Sequence, residues 1–182
     1  MTSEPTKPAR GNNVFLIGPM GSGKTAVGKQ LARLLHLHFY DTDAEIEHRT
    51  GVDIPYIFER EGETGFRDRE REVIDSLTQL QDVIVATGGG AVLSPLNRDH
   101  LASRGRVVYL RTSVEQQLER TRHGRQRPLL FTENPERKLR ELMTFRAPLY
   151  ESIAAIVVCT DGRQVRAVAD EVVQRLQELS PA

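Results

Sequence analysis

One run of the chain, Gly18-Pro19-Met20-Gly21-Ser22-Gly23-Lys24-Thr25, combines residue types at a spacing that points to a defined chemistry. A glycine, four residues, then Gly-Lys-Thr is the spacing of a phosphate loop of the Walker A kind. Gly18, Gly21 and Gly23 let the backbone wrap an anion with no Cβ in the way. Lys24 is then placed to reach the β- and γ-phosphates of a nucleotide, and the Thr25 hydroxyl to ligate Mg²⁺. The flanks agree. Val14-Phe15-Leu16-Ile17 suits a buried strand, and Val27, Leu31, Leu34 and Leu35 recur at the spacing of one helical face. Strand, glycine loop and helix together aim backbone N–H groups and a helix N-terminus at a phosphate.

Other residues offer chemistry that complements a bound phosphate. Asp41 and Asp43 stand at the carboxyl end of a second strand, where open α/β sheets bind ligands. In an extended segment residues i and i+2 point the same way, so both carboxylates are expected to face one cleft. Phosphoryl transfer needs one acidic group near Mg²⁺ and another that orients or deprotonates the attacking hydroxyl. The same Asp-Thr-Asp, ahead of Ala-Glu-Ile-Glu, also serves as a helix cap, and spacing alone does not choose. Gly88-Gly89-Gly90 follows the apolar Val83–Ala86 and suits either close approach of a small anionic or hydroxylated ligand or a plain turn. That strand ends without the Asp that many phosphate-loop ATPases carry, so Asp41 is the better candidate for the metal shell. Arg67, Arg127 and Arg146 are of the type preferred for bidentate capture of carboxylate or phosphate, although a lone arginine is more often a surface charge. Arg146 shares a helical face with Leu139, Leu142 and Met143, which points it inward, and a buried guanidinium needs an anion. The five histidines show no metal-ligand spacing.

The elements that must position these groups alternate. Strands are expected at Val14–Ile17, His38–Asp41, Val83–Ala86, Val107–Leu110 and Ala155–Cys159, with helical stretches between them. That pattern predicts an α/β fold with a parallel sheet covered on both faces. Ser94-Pro95 and Asn134-Pro135 each set an N-cap residue before a proline at the first helical position. Ser113 with Gln116 reads as a capping box. The last helix shows an apolar stripe of Val165, Val168, Val172, Val173 and Leu176. About forty residues separate Asp41 from Val83, too many for one crossover helix, and read as short helices broken near Gly51 and Gly62-Glu63-Thr64-Gly65. From Arg120 to Leu130 the chain is Arg-rich, holds Gly124 and closes with Pro128, as a mobile lid would.

Composition sets outer bounds. A chain of 182 residues fits one domain with a substantial core, here 13–182 after a loose tail over 1–12. Lys+Arg and Asp+Glu both number 25, which leaves no basic excess for nucleic acid or an anionic membrane surface. No apolar run is long enough to cross a bilayer, and the first dozen residues lack the apolar core of a signal peptide. The single Cys159 cannot form an intrachain disulfide, in keeping with a reducing cytosol, and is expected to be a small core residue.

Taken together these features closely resemble the shikimate kinase family, from about Asn13 to Leu176. The family pairs its phosphate loop with Asp41-Thr42-Asp43, then Phe66-Arg67 followed by Glu70, Gly88–Gly90, Arg127-Pro128-Leu129 and Arg146-Ala147-Pro148-Leu149-Tyr150, in that order. Thr25 stands where many members carry Ser and keeps the hydroxyl. The resemblance implies a P-loop NTPase fold of the nucleoside-monophosphate-kinase kind, with a five-stranded parallel sheet flanked by helices. A substrate-binding insert is expected at about 42–72 and a lid at about 120–134. It implies transfer of the γ-phosphate of ATP to the 3-hydroxyl of shikimate, with Mg²⁺ as cofactor, on the way to chorismate and the aromatic amino acids. The implied partners are ATP and shikimate alone, with a monomer working in the cytoplasm. Lys24, Asp43 and Arg127 carry the implied catalytic roles: Asp43 as base, Arg127 as stabiliser of the transferring phosphoryl group. ATP contacts fall to Gly21, Ser22, Gly23, Lys24, Thr25, Ala26 and Arg127, with Arg120 and Arg163 flanking the adenine. Shikimate contacts fall to Asp43, Arg67, Gly88, Gly89, Gly90 and Arg146, and Mg²⁺ to Thr25 and, through water, Asp41.

Two other readings compete. A kinase of another small hydroxy acid, such as gluconate, shares the phosphate loop and general fold, but Phe66-Arg67, the triple glycine and Arg146 speak against it. A nucleotide-dependent switch without a small-molecule substrate lacks the Asn-Lys-x-Asp element for guanine and leaves Asp43 and the inward Arg146 unexplained.

Overall fold

The computed structural model describes residues 11–122 and 132–179. Five strands, β1 (Val14–Ile17), β2 (His38–Asp41), β3 (Val83–Ala86), β4 (Arg106–Arg111) and β5 (Ile156–Cys159), form one sheet in the order β2-β3-β1-β4-β5. Every neighbouring pair is parallel. Parallel strands cannot be joined by tight hairpins, so helices make the crossings. These are α1 (Lys24–Leu35), α2 (Thr42–Thr50), α3 (Ile54–Thr78), α4 (Pro95–Arg104), α5 (Val114–Thr121), α6 (Pro135–Ile153) and α7 (Val165–Leu179).

Strand side chains alternate between two faces, and each face has its own core. Phe15, Ile17, Val85, Val107 and Tyr109 pack with α3, with Leu101 of α4 and with Tyr150 of α6. Leu16, Ile84, Val108 and Leu110 pack on the other face with Val27 and Leu31 of α1 and Val168 and Val172 of α7. Burying a side chain of this size contributes roughly 1.5–3 kcal/mol. The central strands β1 and β3, buried along their whole length, therefore make a rigid floor whose carboxyl ends can hold a site.

Local signals explain most of the boundaries. Ser94 and Asn134 cap α4 and α6 by accepting from the N–H groups of Asn97 and Arg137, each with proline in the first turn. Ser113 caps α5, but the reciprocal half of the expected box is absent: Gln116 donates to Glu119, and the Ser113 N–H goes to Asp161 Oδ1 at 2.9 Å. The buried stripe of α7 is Val168, Ala169, Val172 and Leu176, with Val165 in its first turn exposed and Val173 only half-buried. Cys159 is exposed, contrary to the expected core position: it is the last residue of the edge strand β5.

The long segment after β2 is helical with breaks where glycine allows them. Gly51 ends α2 at φ 72°, and Gly62 bends α3 at φ 69°, ψ −175°, conformations that L side chains avoid. The part of α3 beyond the bend carries Phe66, Arg67 and Glu70. Among the described residues no helix is long and apolar enough to cross a membrane. The first ten residues of the expected tail, and positions 123–131 of the expected lid, lie outside the described residues.

Candidate active site

A cavity of about 690 Å³ opens at the carboxyl ends of β1, β2 and β3. One wall is the phosphate loop. Gly18, Gly21 and Gly23 adopt φ 147°, 77° and 87°, and no side chain caps the start of α1, which leaves that helix N-terminus for a ligand. Lys24 Nζ donates to the carbonyls of Gly18 and Pro19, both at 2.8 Å, and to Ser22 Oγ at 3.3 Å. Gly21, Gly23, Lys24, Thr25 and Ala26 line the cavity, whereas Ser22 is buried behind them and holds the lysine.

Asp41 uses its two oxygens differently. Oδ1 caps α2, accepting from the N–H groups of Asp43 and Ala44 at 3.0 and 3.2 Å. Oδ2 accepts from the Thr25 hydroxyl at 2.6 Å, which sets the two expected metal-shell residues side by side. Asp43 faces the same cavity for a reason other than the expected one. The strand stops at Asp41, and Asp43 sits in the first turn of α2, swung inward by the helix that Asp41 caps. Between them Thr42 is fully buried, and its hydroxyl accepts from the Gly88 N–H at 3.1 Å.

The opposite wall concentrates charge. Arg67 donates from Nη1 to Glu70 Oε1 at 2.8 Å and from Nη2 to Glu63 Oε1 at 3.2 Å. Glu70 is 1% exposed and Arg146 4% exposed. Arg146 forms no ion pair with a carboxylate among the described residues, though its charge acts on Glu70. Asp43 Oδ1, Glu70 Oε2 and Arg67 Nε are buried with no hydrogen-bond partner among the described residues. Orphaned buried polar atoms are costly and mark a place where a ligand completes the bonding.

The carboxyls respond to this setting. Although part of Asp43 reaches the cavity, its shielded Oδ1 dominates: burial, with the negative charges of Glu70 and Asp41, pushes the carboxyl up to about 7 against the opposing Lys24 and Arg67. Burial also raises Glu70, opposed chiefly by Arg67. A carboxylate held near neutrality is suited to take a proton from a hydroxyl at physiological pH.

The triple glycine is what lets these groups meet. A Cβ on Gly88 would lie 2.8 Å from Glu70 Oε2 and 3.2 Å from Asp43 Oδ1, and one on Gly90 would collide with the Arg67 guanidinium. Arg120 lines the cavity beside the phosphate loop, donating to the Gly21 carbonyl at 3.1 Å and the Thr160 carbonyl at 2.9 Å. Arg163 is engaged elsewhere, with Glu171 at 2.6 Å and the Cys159 carbonyl at 3.0 Å, and does not line the cavity. Arg127 lies outside the described residues. Sequence reasoning gave no role to Glu70, whose i+3 spacing from Arg67 was the available sign of an ion pair, nor to Thr42 and Tyr150. The three glycines, Asp43, Arg67 and Arg146 do come together in one cavity.

A shikimate kinase family model matches residues 20–177. The shikimate kinase of Halorhodospira halophila is 56% identical over 166 residues, covering 91% of this chain and 94% of that protein. That of Alteromonas mediterranea is 49% identical over 168 residues, covering 92% and 98%. The solved structure of shikimate kinase from Acinetobacter baumannii in complex with shikimate superposes with a TM-score of 0.92 at 48% identity, over 94% of this chain and 96% of that one. A gluconokinase from Sinorhizobium meliloti, at TM-score 0.59 and 18% identity over 93% and 94% of the two chains, shares the fold alone. Sequence, architecture and the family model thus agree, and the chain belongs to the shikimate kinase family.

Proposed function

We propose that the cavity transfers the γ-phosphate of ATP to the 3-hydroxyl of shikimate, giving shikimate 3-phosphate and ADP, with Asp43 as the base. The observation that carries this reading is the buried, unpartnered Asp43 Oδ1, held near neutrality opposite the phosphate loop. The triphosphate lies on the loop N–H groups and the start of α1. Lys24 exchanges its contacts with the Gly18 and Pro19 carbonyls for the β- and γ-phosphates. Arg67 and Arg146 hold the shikimate carboxylate, which supplies the anion that Arg146 lacks among the described residues. Asp43 and Glu70 accept from the sugar-like hydroxyls, and Asp43 takes the proton as the 3-oxygen attacks phosphorus.

The hard oxygen donors Thr25 Oγ1 and Asp41 Oδ2, 2.6 Å apart, fit Mg²⁺, which favours few protein oxygens plus phosphate and water. Held by these residues, the ion would supply positive charge to the phosphates during transfer. Arg127, by resemblance, supplies further positive charge to the transferring group, and Arg120 contacts the nucleotide from the last turn of α5. The balanced charge and single cysteine support a cytoplasmic enzyme acting on small molecules, and the resemblance extends this to a monomer. The test is ADP release with ATP and Mg²⁺ on a panel of shikimate, quinate and gluconate. Turnover is expected with shikimate and not with gluconate. Equal turnover on gluconate, or none on shikimate, overturns the assignment.

A further inference from the structure

The backbone of the glycine turn can be accounted for group by group. The Gly88 N–H donates to the Thr42 hydroxyl, and the Gly88 and Gly90 carbonyls accept from the N–H groups of Ala91 and Leu93. The Gly89 carbonyl accepts from the Tyr150 hydroxyl. Of the backbone groups of this turn, only the N–H groups of Gly89 and Gly90 have no partner among the described residues, and both residues line the cavity. We propose that the hydroxyls of Thr42 and Tyr150 are paired clasps that fix this turn, so that they act as positioning residues for the acceptor substrate.

Each clasp ties a substrate-binding side chain to the turn. Thr42 precedes Asp43 in the first turn of α2, so the bond to Gly88 also fixes the helix start that aims Asp43. Tyr150 lies one helical turn after Arg146 on α6, and a Cβ on Gly89 would lie 3.6 Å from Arg146 Nη1. Both clasp residues are fully buried, and the Tyr150 ring stacks on Tyr109 of β4 with centroids 5.0 Å apart, which denies the phenol other positions. Burial holds that phenol above its ordinary pKa, so it remains a donor throughout the working pH range. The glycines themselves have no side chains to hold their course. The two hydroxyls supply that constraint from neighbouring elements.

This inference rests on the shikimate-phosphorylating reading, and its test separates the two. Tyr150→Phe keeps the stacked ring, and Thr42→Val keeps the shape, while each leaves one turn group unpaired. Each is expected to raise KM for shikimate about tenfold, the order of one lost buried hydrogen bond. KM for ATP should stay within about twofold, because the phosphate loop makes none of these bonds. Thr42→Ser should restore the wild-type KM. The double variant should lose less than the product of the single losses, since both act on one turn. Equal rises in both KM values, an unchanged shikimate KM, or no rescue by Ser overturns the proposal. Amide hydrogen exchange of the ligand-free protein supplies a second readout, with Gly88 expected to exchange faster in Thr42→Val. Unchanged Gly88 exchange overturns the clasp even where wild-type protein releases no ADP with shikimate, an outcome that defeats the functional reading instead. If Thr42→Val does not fold, Tyr150→Phe decides by its KM split together with faster exchange of the Ala91 and Leu93 amides held by the turn. The phenol also contacts Arg146, so a KM split with unchanged exchange overturns the clasp.

Discussion

At the nucleotide end of the cavity Lys24 satisfies itself on the Gly18 and Pro19 carbonyls, and Thr25 on Asp41. At the acceptor end Asp43 Oδ1, Glu70 Oε2 and Arg67 Nε have no hydrogen-bond partner among the described residues. The first end is built from backbone and short local contacts that hold without a ligand. The second is built from side chains brought in from α2, α3 and α6. The difference teaches where each end is vulnerable. Changes at the nucleotide end are expected to act on the charge of the transferring phosphate, whereas changes at the acceptor end are expected to act on proton transfer, substrate fit, pH response and stability together.

The most severe test of that division is Asp43→Asn. Asparagine still hydrogen-bonds a hydroxyl but cannot take its proton, so turnover should fall by ~10²–10⁴-fold while shikimate binding weakens modestly. A coupled assay beside titration calorimetry separates the two, and full turnover would reduce Asp43 to a positioning group. Lys24→Ala should lower kcat by at least ~10²-fold through loss of charge beside the phosphates. Near-normal turnover of that variant, measured by ADP release, would move the chemistry away from the loop. Arg67→Lys keeps the charge but loses the fork that holds Glu70 and the substrate carboxylate. Its KM for shikimate should rise by ~10–100-fold, with KM for ATP little changed. A parallel rise in both would erase the distinction between the ends.

The smallest expected effect concerns stability. Folding raises the Asp43 pKa to about 7, so the folded protein binds its proton more tightly than the unfolded chain does. The contribution is fully present below the unfolded carboxyl pKa and is lost as pH rises through about 7. Asp43→Asn removes the buried charge. Its melting temperature should therefore exceed that of the wild type at about pH 8, by roughly 2–8 °C for ~1–3 kcal/mol, with the gap closing toward about pH 5. Calorimetric melts of both proteins across that range check the sign.

The same contrast governs what could be read from the chain. The phosphate loop was legible because its parts are consecutive and its flanking strand and helix are local patterns. The sheet followed from five apolar runs, with errors only of a residue at the ends of β4 and β5. Asp43 was placed in the right cleft by period-two reasoning, yet the strand ends two residues earlier and a helix start turns the side chain inward. The helix cap was posed as an alternative to a role in the site for Asp41-Thr42-Asp43, although a carboxylate has two oxygens: Asp41 caps α2 with one and accepts from Thr25 with the other. Thr42 and Tyr150 stayed silent because their partners are glycines, distant in sequence and without side chains to signal a contact, whereas Glu70 carried its sign in the i+3 spacing from Arg67. Cys159 misled because an apolar run does not reveal which of its residues ends an edge strand.

The most direct test of Asp43 as the base is the pH dependence of kcat/KM for shikimate, which reports groups of the free enzyme. Only the ionised carboxylate accepts the proton, and burial beside Glu70 holds Asp43 at about 7. The wild-type value should therefore fall about tenfold per pH unit below that point and level off above it, while the residual activity of Asp43→Asn should lack that limb. A flat wild-type profile between about pH 5 and 8, or the same limb persisting in Asp43→Asn, would contradict the account.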